Sequence, residues 1–182
     1  MASAFSHAVV ALAIGKVPQH SLFTWRTVLL GMVCSVVPDL DIIGFHFGIR
    51  YGDLWGHRGL THSLLFAGLL SAMLAGLFYR RQSVKAKSEI FFYLFLCTAS
   101  HGVLDAMTDG GLGVAFFSPF DQTRYFLSFR PIAVSPIGIG RFFTADAFRV
   151  LASEAQWIWL PTGAAFVALR TFQRWVRSDR SA

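Results

Sequence analysis

The segment from His62 to Tyr79 constrains the fold most strongly, because it contains no Asp, Glu, Lys or Arg. A helix that crosses the hydrocarbon core of a bilayer needs about 20 predominantly apolar residues. The composition agrees with that interpretation, since 54% of the residues are hydrophobic and only 14% are charged. Typical soluble domains carry about 25% charged residues. We therefore interpret the chain as an integral membrane protein.

Five hydrophobic segments alternate with polar connections, and they predict an all-α, membrane-embedded bundle of about five helices. We assign the 182 residues to one domain. The segments are Ala2 to Val17, Leu22 to Phe45, His62 to Tyr79, Ile90 to Met107 and Ala155 to Leu169, the last leading into a basic tail that ends at residue 182. Both cysteines fall inside apolar stretches, which favours buried thiols over disulfides or a thiolate zinc site.

The net charge of +6 is spread in a pattern that indicates a membrane partner rather than nucleic acid. Most basic residues flank hydrophobic segments, where they face lipid head groups. They crowd the third-to-fourth connection and the C-terminal tail, as Arg80, Arg81, Lys85, Lys87, Arg170, Arg174, Arg177 and Arg180. Because basic connections are cytoplasmic, we expect the C-terminus inside and the N-terminus outside. The N-terminus has no basic region, so we expect no cleaved signal peptide.

This topology brings the ionisable residues of the hydrophobic segments to one side of the membrane. In chain order they are His7, Asp39, Asp41, His57, His62, His101 and Asp105. The helix from Ile90 to His101 rises about 16 Å, so His101 is expected in the outer half of a hydrocarbon core about 30 Å thick. Ionisable groups at that depth are costly and mark functional sites. A metal ion would give them a partner.

Two motifs carry most of the expected ligands. His101 and Asp105 are four residues apart on one helical face and can reach one cation, although a His–Asp hydrogen bond between helices explains the pair equally well. His57 and His62 flank a loop-to-helix junction, and imidazoles suit zinc and similar metals. Arg58 between them could clamp a phosphate oxygen. The alternative for this motif is an interfacial helix end with Thr61 as N-cap.

The remaining candidates are weaker taken alone. Asp39 and Asp41 stand at alternate positions of an expected extended turn, where one could bind metal and the other activate water or support a ligand. A hydrated turn favoured by Pro38 explains this motif at least as well. His7 is a lone histidine on an apolar helix, which is usually a satisfied core group. The sequence has no nucleophile elbow, P-loop or GxGxxG, so the remaining chemistry is metal-centred.

Taken together, these motifs resemble one known family. They are Ser6-His7, Pro38-Asp39-Leu40-Asp41, His57-Arg58-Gly59-Leu60-Thr61-His62-Ser63, and His101-Gly102-Val103-Leu104-Asp105 followed by Thr108 and Pro119-Phe120. Over about residues 6–130 they are similar to bacterial inner-membrane proteins described as membrane-bound metal-dependent hydrolases, some of them LexA-regulated. That family is distantly similar to the all-helical, zinc-dependent phospholipase C fold. The resemblance implies a multi-metal site and phosphoester hydrolysis, although this chain lacks a second helical motif of the His-xxx-Glu type.

We therefore predict a multi-pass protein of the bacterial inner membrane that hydrolyses a membrane-borne ester at the outer face. A phosphoester of a lipid or lipid-linked molecule is the favoured substrate, and zinc is the favoured divalent metal, with manganese or iron as alternatives. The predicted ligands are His57, His62, His101 and Asp105, then Asp39, Asp41 and His7. Asp41 or Asp39 would be the water-activating base, and Arg58 would hold a substrate oxygen.

The rival prediction is a non-catalytic membrane protein, either a metal-binding structural partner or a transporter. A transporter needs ionisable groups that continue across the membrane, whereas the inner halves of the third and fourth segments are apolar. The sequence predicts no particular oligomeric state.

Overall fold

The computed structural model describes residues 1–137 and 146–179, and within these ranges the chain is helical without a strand. The α-helices are α1 (Ala4–Lys16), α2 (Trp25–Cys34), α3 (Leu64–Phe78), α4 (Val84–Ala106), α5 (Asp146–Glu154) and α6 (Leu160–Asp179). Two 3-10 helices cover Val37–Phe47 and Leu60–His62, and a π-helical segment, Ala155–Trp159, joins α5 to α6. The all-α prediction is confirmed.

Successive helical units run in opposite directions, so one end of the bundle collects the start of α1 and the end of α4. The backbone N–H of Ala2 donates to Asp105 Oδ1 at 2.7 Å, and the end of α2 meets α4 where Ser35 O lies 2.7 Å from His101 Nδ1. At the opposite end, Arg170 of α6 donates to the carbonyl of Lys16. We call these the site end and the basic end.

Close helix packing near the basic end depends on Tyr93 of α4. Its ring fills the space that Gly15 of α1 and Gly31 of α2 leave open, since a Cβ on Gly15 would lie 2.6 Å from the Tyr93 hydroxyl and one on Gly31 would collide with it. The hydroxyl donates to the carbonyl of Val28 at 3.1 Å. The buried core around it comprises Ala11, Cys34, Ala75, Ile90, Tyr93, Leu94 and Cys97, which places both cysteines there as predicted.

The prediction of five membrane-crossing helices is not confirmed. In the described residues, Trp25–Phe47 is the one helical stretch long and apolar enough to span a bilayer by length and composition. The predicted third span yields a shorter helix of 15 residues, α3, because the Leu60–His62 turn and the N-cap Ser63 come before it. The fifth segment continues into α6, whose basic residues interrupt its apolar character.

The second segment is a helix in two parts, and this arrangement orients the carboxylates. After Ser35 closes α2, Pro38 lies in the first turn of the 3-10 helix Val37–Phe47. The extended turn expected around Asp39 and Asp41 is therefore wrong. A 3-10 helix has 3.0 residues per turn, so two side chains at i and i+2 point about 120° apart, and these two carboxylates face different neighbours.

Candidate metal centre

The site end buries the predicted ligands in one cluster built from four parts of the chain. α4 contributes His101 and Asp105, one helical turn apart, and the 3-10 helix Val37–Phe47 contributes Asp39. The connection before α3 contributes His62, and α1 contributes His7 in its first turns. All five residues are buried. The convergence expected from the alternating helices is therefore present in the structure.

Four of these side chains form a group that could hold one metal ion. Asp39, His62, His101 and Asp105 each offer a ligand atom, and these atoms all lie within 4.8 Å of one another. His101 Nε2 lies 3.0 Å from His62 Nε2 and 3.3 Å from Asp39 Oδ1. His62 Nε2 lies 3.6 Å from Asp105 Oδ2.

The hydrogen-bond partners of the Nδ1 atoms of His101 and His62 determine which ring nitrogens can bind a metal. The carbonyl of Ser35 can only accept, so His101 Nδ1 carries the proton and Nε2 of the neutral ring has a free lone pair. His62 Nδ1 faces Asp41 Oδ2 at 3.2 Å, which leaves Nε2 free in the same way. Two lone pairs at 3.0 Å repel unless a proton or a cation lies between them. Two imidazoles on one tetrahedral zinc place their nitrogens about 3.3 Å apart.

Buried polar atoms without hydrogen bonds cluster at this point. Among the described residues, both oxygens of Asp39, both ring nitrogens of His7 and Nε2 of His57 are buried and unpaired. Each such atom costs about 1–3 kcal/mol, and more when it is charged. The side chains here carry three carboxylates, those of Asp39, Asp41 and Asp105, against the guanidinium of Arg58 and the nearby α-amino group of Met1. Because the carboxylates outnumber these two cationic groups, a divalent cation fits the residues present.

Arg58 is fully buried and its donors are directed at the protein. Nε donates to Asp105 Oδ2 at 3.0 Å, and the two terminal nitrogens donate to the carbonyl of Gly110 at 2.9 Å and to Thr108 Oγ1 at 2.8 Å. The backbone at Arg58 is left-handed, with φ 63. The Arg58 guanidinium thus holds the candidate ligand Asp105 in place. The predicted contact between Arg58 and a substrate oxygen stays a prediction.

Asp41 and His57 lie on the loop side of the cluster, where with His62 they form a second group whose possible ligand atoms all lie within 4.8 Å of one another. His57 Nδ1 lies 2.7 Å from Asp41 Oδ1. Burial lowers the pKa of His57, although its hydrogen bond to Asp41 opposes that shift. The N-cap alternative for Thr61 is wrong, because Ser63 caps α3 by accepting from the N–H of Phe66 and Thr61 donates to Asp41.

His7 lies beside the four-residue group and outside it. Its ring stacks on His101 with centroids 3.7 Å apart, and its Nε2 lies 3.7 Å from Asp105 Oδ1. His20, which has no partner pattern in the sequence, pairs with Glu89 at 3.4 Å on the exposed surface.

Sequence reasoning missed Glu154, the last residue of α5. Its buried carboxylate accepts from the backbone N–H and the hydroxyl of Ser3 and from the hydroxyl of Ser6. Trp159 Nε1 donates to the same Ser6 hydroxyl at 2.8 Å. Glu154 thereby fixes the first turn of α1, which carries His7. The one available signal was a carboxylate directly before the fifth hydrophobic segment.

The fold and the site define an all-helical protein that has a buried candidate metal centre at one end and one helical stretch long and apolar enough to cross a membrane. The family model described as YdjM inner membrane protein matches residues 1–177. Inner membrane protein YbcI of Escherichia coli (strain K12) is 34% identical over 161 residues, which cover 88% of this chain and 92% of that protein. No solved structure matches the chain.

The chain therefore belongs to the YdjM inner membrane protein family. The predicted inner-membrane class is confirmed. The metal-dependent hydrolase resemblance is consistent with this membership, although neither name states an activity.

Proposed function

We propose that the protein binds a divalent metal ion at its site end and uses it to hydrolyse a phosphoester of a membrane lipid or lipid-linked molecule. The observation that carries the proposal is Asp39, whose two buried oxygens have no hydrogen bond although they lie against His101 and His62. A buried carboxylate that has no hydrogen bond and lies beside two imidazole nitrogens is stabilised by a cation held between them. Asp39, His62, His101 and Asp105 would be its ligands.

The donor set favours particular metals and a particular chemistry. Nitrogen and oxygen ligands without thiolates suit zinc, with manganese or iron as alternatives. A divalent ion held this way polarises a phosphoryl oxygen and lowers the pKa of water bound to it. The protein's own contribution is to hold the ligands in place, as Arg58 does for Asp105 and the Ser35 carbonyl does for His101.

Access to the centre is proposed from the Asp39 side. The Asp39 side chain is 8% exposed, whereas those of His62, His101 and Asp105 are fully buried. Three phenylalanine side chains near this end are at least 80% exposed: Phe47, Phe120 and Phe148. Exposed apolar side chains mark surfaces that contact lipid or another protein, which supports a lipid substrate. With the basic end in the cytoplasm, the centre would lie at the outer face.

Three of the four ligand side chains are completely buried, and this also supports a second candidate function, in which the metal ion stabilises a non-catalytic membrane protein. Structural metal sites are closed by protein ligands, whereas catalytic sites keep one position open for water or substrate. The two candidates share the metal and differ in turnover, so one series of measurements separates them.

The test begins with metal content by elemental analysis of detergent-purified protein. We expect one or two equivalents of zinc, manganese or iron in the wild type, loss in His101→Ala, and retention in the control His20→Ala at an exposed histidine. Absence of metal in the wild type after reloading, or retained metal in His101→Ala, would overturn the proposal. Loaded protein is then assayed on phosphatidylethanolamine–phosphatidylglycerol vesicles, where release of a phosphorylated head group supports the hydrolase and full loading without turnover supports the structural candidate.

A further inference from the structure

Both carboxylate oxygens of Asp41 accept hydrogen bonds inside the cluster. Oδ1 lies 2.7 Å from His57 Nδ1. Oδ2 accepts from the Thr61 hydroxyl at 2.8 Å and from the backbone N–H of Arg58 at 3.2 Å. The Asp41 side chain is only 1% exposed, so these protein groups are its environment.

Thr61 extends this network to a second histidine. Its hydroxyl donates its only proton to Asp41, so its oxygen is left as an acceptor. His62 Nδ1 lies 3.1 Å from that oxygen and 3.2 Å from Asp41 Oδ2. Both neighbours of His62 Nδ1 are therefore acceptors, and the ring proton belongs on Nδ1.

Asp39 and Asp41 occupy opposite environments although they are two residues apart in one 3-10 helix. Neither oxygen of Asp39 has a hydrogen bond among the described residues, while both oxygens of Asp41 have at least one. A metal ligand needs an oxygen lone pair aimed at the ion, and Asp39 offers two. Asp41 could also offer an oxygen, as a member of a second group with His57 and His62, but its Oδ1 already accepts one hydrogen bond and its Oδ2 two.

We propose that Asp41 is a positioning residue outside the metal's ligands, which together with Thr61 fixes the Nδ1–H tautomer and the ring orientation of His57 and His62. This inference rests on the proposed function and gives Asp41 a role other than ligand or base. Histidines that bind metal through one nitrogen usually donate the other N–H to a carboxylate or carbonyl, and loss of that partner weakens metal affinity about 10–100-fold. His62 Nε2 is the ligand atom held in this way.

The test compares Asp41→Asn and Thr61→Val with the matched controls Asp53→Asn and Thr61→Ser, using zinc alone as the probe. Asparagine keeps one oxygen acceptor, so at least one of the two rings loses its partner. Competition with a chromophoric chelator in detergent should show unchanged stoichiometry with about 10–100-fold weaker binding for Asp41→Asn. Thr61→Val should weaken binding by a smaller factor, and both controls should match the wild type. Asp39→Asn, by contrast, should lose stoichiometric binding.

A second readout is nitrogen-15 NMR of the histidine rings in the metal-free protein. We expect the Nδ1–H tautomer for His57 in the wild type and a shift toward Nε2–H in Asp41→Asn. A role limited to stability would lower the melting temperature without moving the tautomer. If Asp41→Asn does not fold, zinc affinity decides: Thr61→Val should bind zinc more weakly than Thr61→Ser, and equal binding would contradict the positioning role.

Two results would overturn the assignment. A folded Asp41→Asn protein that loses stoichiometric zinc as Asp39→Asn does would make Asp41 a ligand. Unchanged affinity and tautomer would remove any role in positioning. If the wild type binds no zinc, the proposed function fails, but the His57 tautomer of the metal-free protein still decides whether Asp41 orients that ring.

Discussion

Arg58 and Asp105 allow the electrostatics of the cluster to be measured without a substrate. Both side chains are fully buried and their ion pair is 3.0 Å long. Replacing Arg58 with Met removes three hydrogen bonds and deprives the Asp105 carboxylate of its guanidinium partner. Breaking a buried pair on one side costs about 3–5 kcal/mol, so we expect the free energy of unfolding of metal-free Arg58→Met to fall by that amount.

The double variant Arg58→Met/Asp105→Asn separates the pair from its surroundings. Because it removes both charges, its loss should be smaller than the sum of the two single losses by about 2 kcal/mol or more. The assay is reversible unfolding in mixed SDS micelles with chelator present, followed by tryptophan fluorescence. The control pair, Arg149 with Asp109, has an N–O distance of 3.4 Å and side-chain exposures of 74% and 39%, and its coupling should stay below about 1 kcal/mol. Additive losses for Arg58 and Asp105, within about 0.5 kcal/mol, would refute the reasoning.

Three further predictions concern the scaffold and the metal. Gly31→Ala drives a methyl group into Tyr93 and should cost about 1–3 kcal/mol of unfolding free energy, whereas Gly76→Ala meets no atom within 4 Å and should change it by about 1 kcal/mol or less. Glu154→Ala should speed hydrogen exchange in the first turn of α1, because three hydrogen bonds there are lost; unchanged exchange would exclude this anchoring. Zinc at about 100 times its dissociation constant should stabilise the wild type by about 2.7 kcal/mol and leave His101→Ala unaffected.

The gathering of the site at one end of the bundle was predictable, because it depends on features that sequence carries locally. Hydrophobic segments joined by short connections alternate in direction, so the end of one and the start of the next meet. The spacing of His101 and Asp105 on one helical face adds the pair from α4. These two rules bring His7, Asp39 and His62 to the same level without knowledge of any contact.

Helix ends and long-range partners were not predictable in the same way. The apolar segment from His62 to Tyr79 contains the end of the Leu60–His62 turn and the N-cap Ser63 as well as α3. Hydropathy alone does not show at which residue the hydrogen-bonded helix begins. Glu154 meets Ser3 and Ser6 across 151 and 148 positions of sequence. No local sequence pattern predicts such a contact. The sequence also gives no indication of the π-helical segment that follows Glu154.

Asp39 and Asp41 show most clearly what the sequence alone does not predict, namely the different roles of two neighbouring carboxylates. The motif identifies both carboxylates as unusual at the end of an apolar helix, but it cannot assign them different roles. Their roles depend on the turn that carries them, since a 3-10 helix directs the two side chains about 120° apart. Asp41 then meets His57 and Thr61, which hydrogen-bond to its two oxygens, and Asp39 meets only imidazole nitrogens and a second carboxylate. A carboxylate without hydrogen bonds suits a ligand and one bonded at both oxygens suits a support for ligands, and the substitution to Asn at each position distinguishes the two roles.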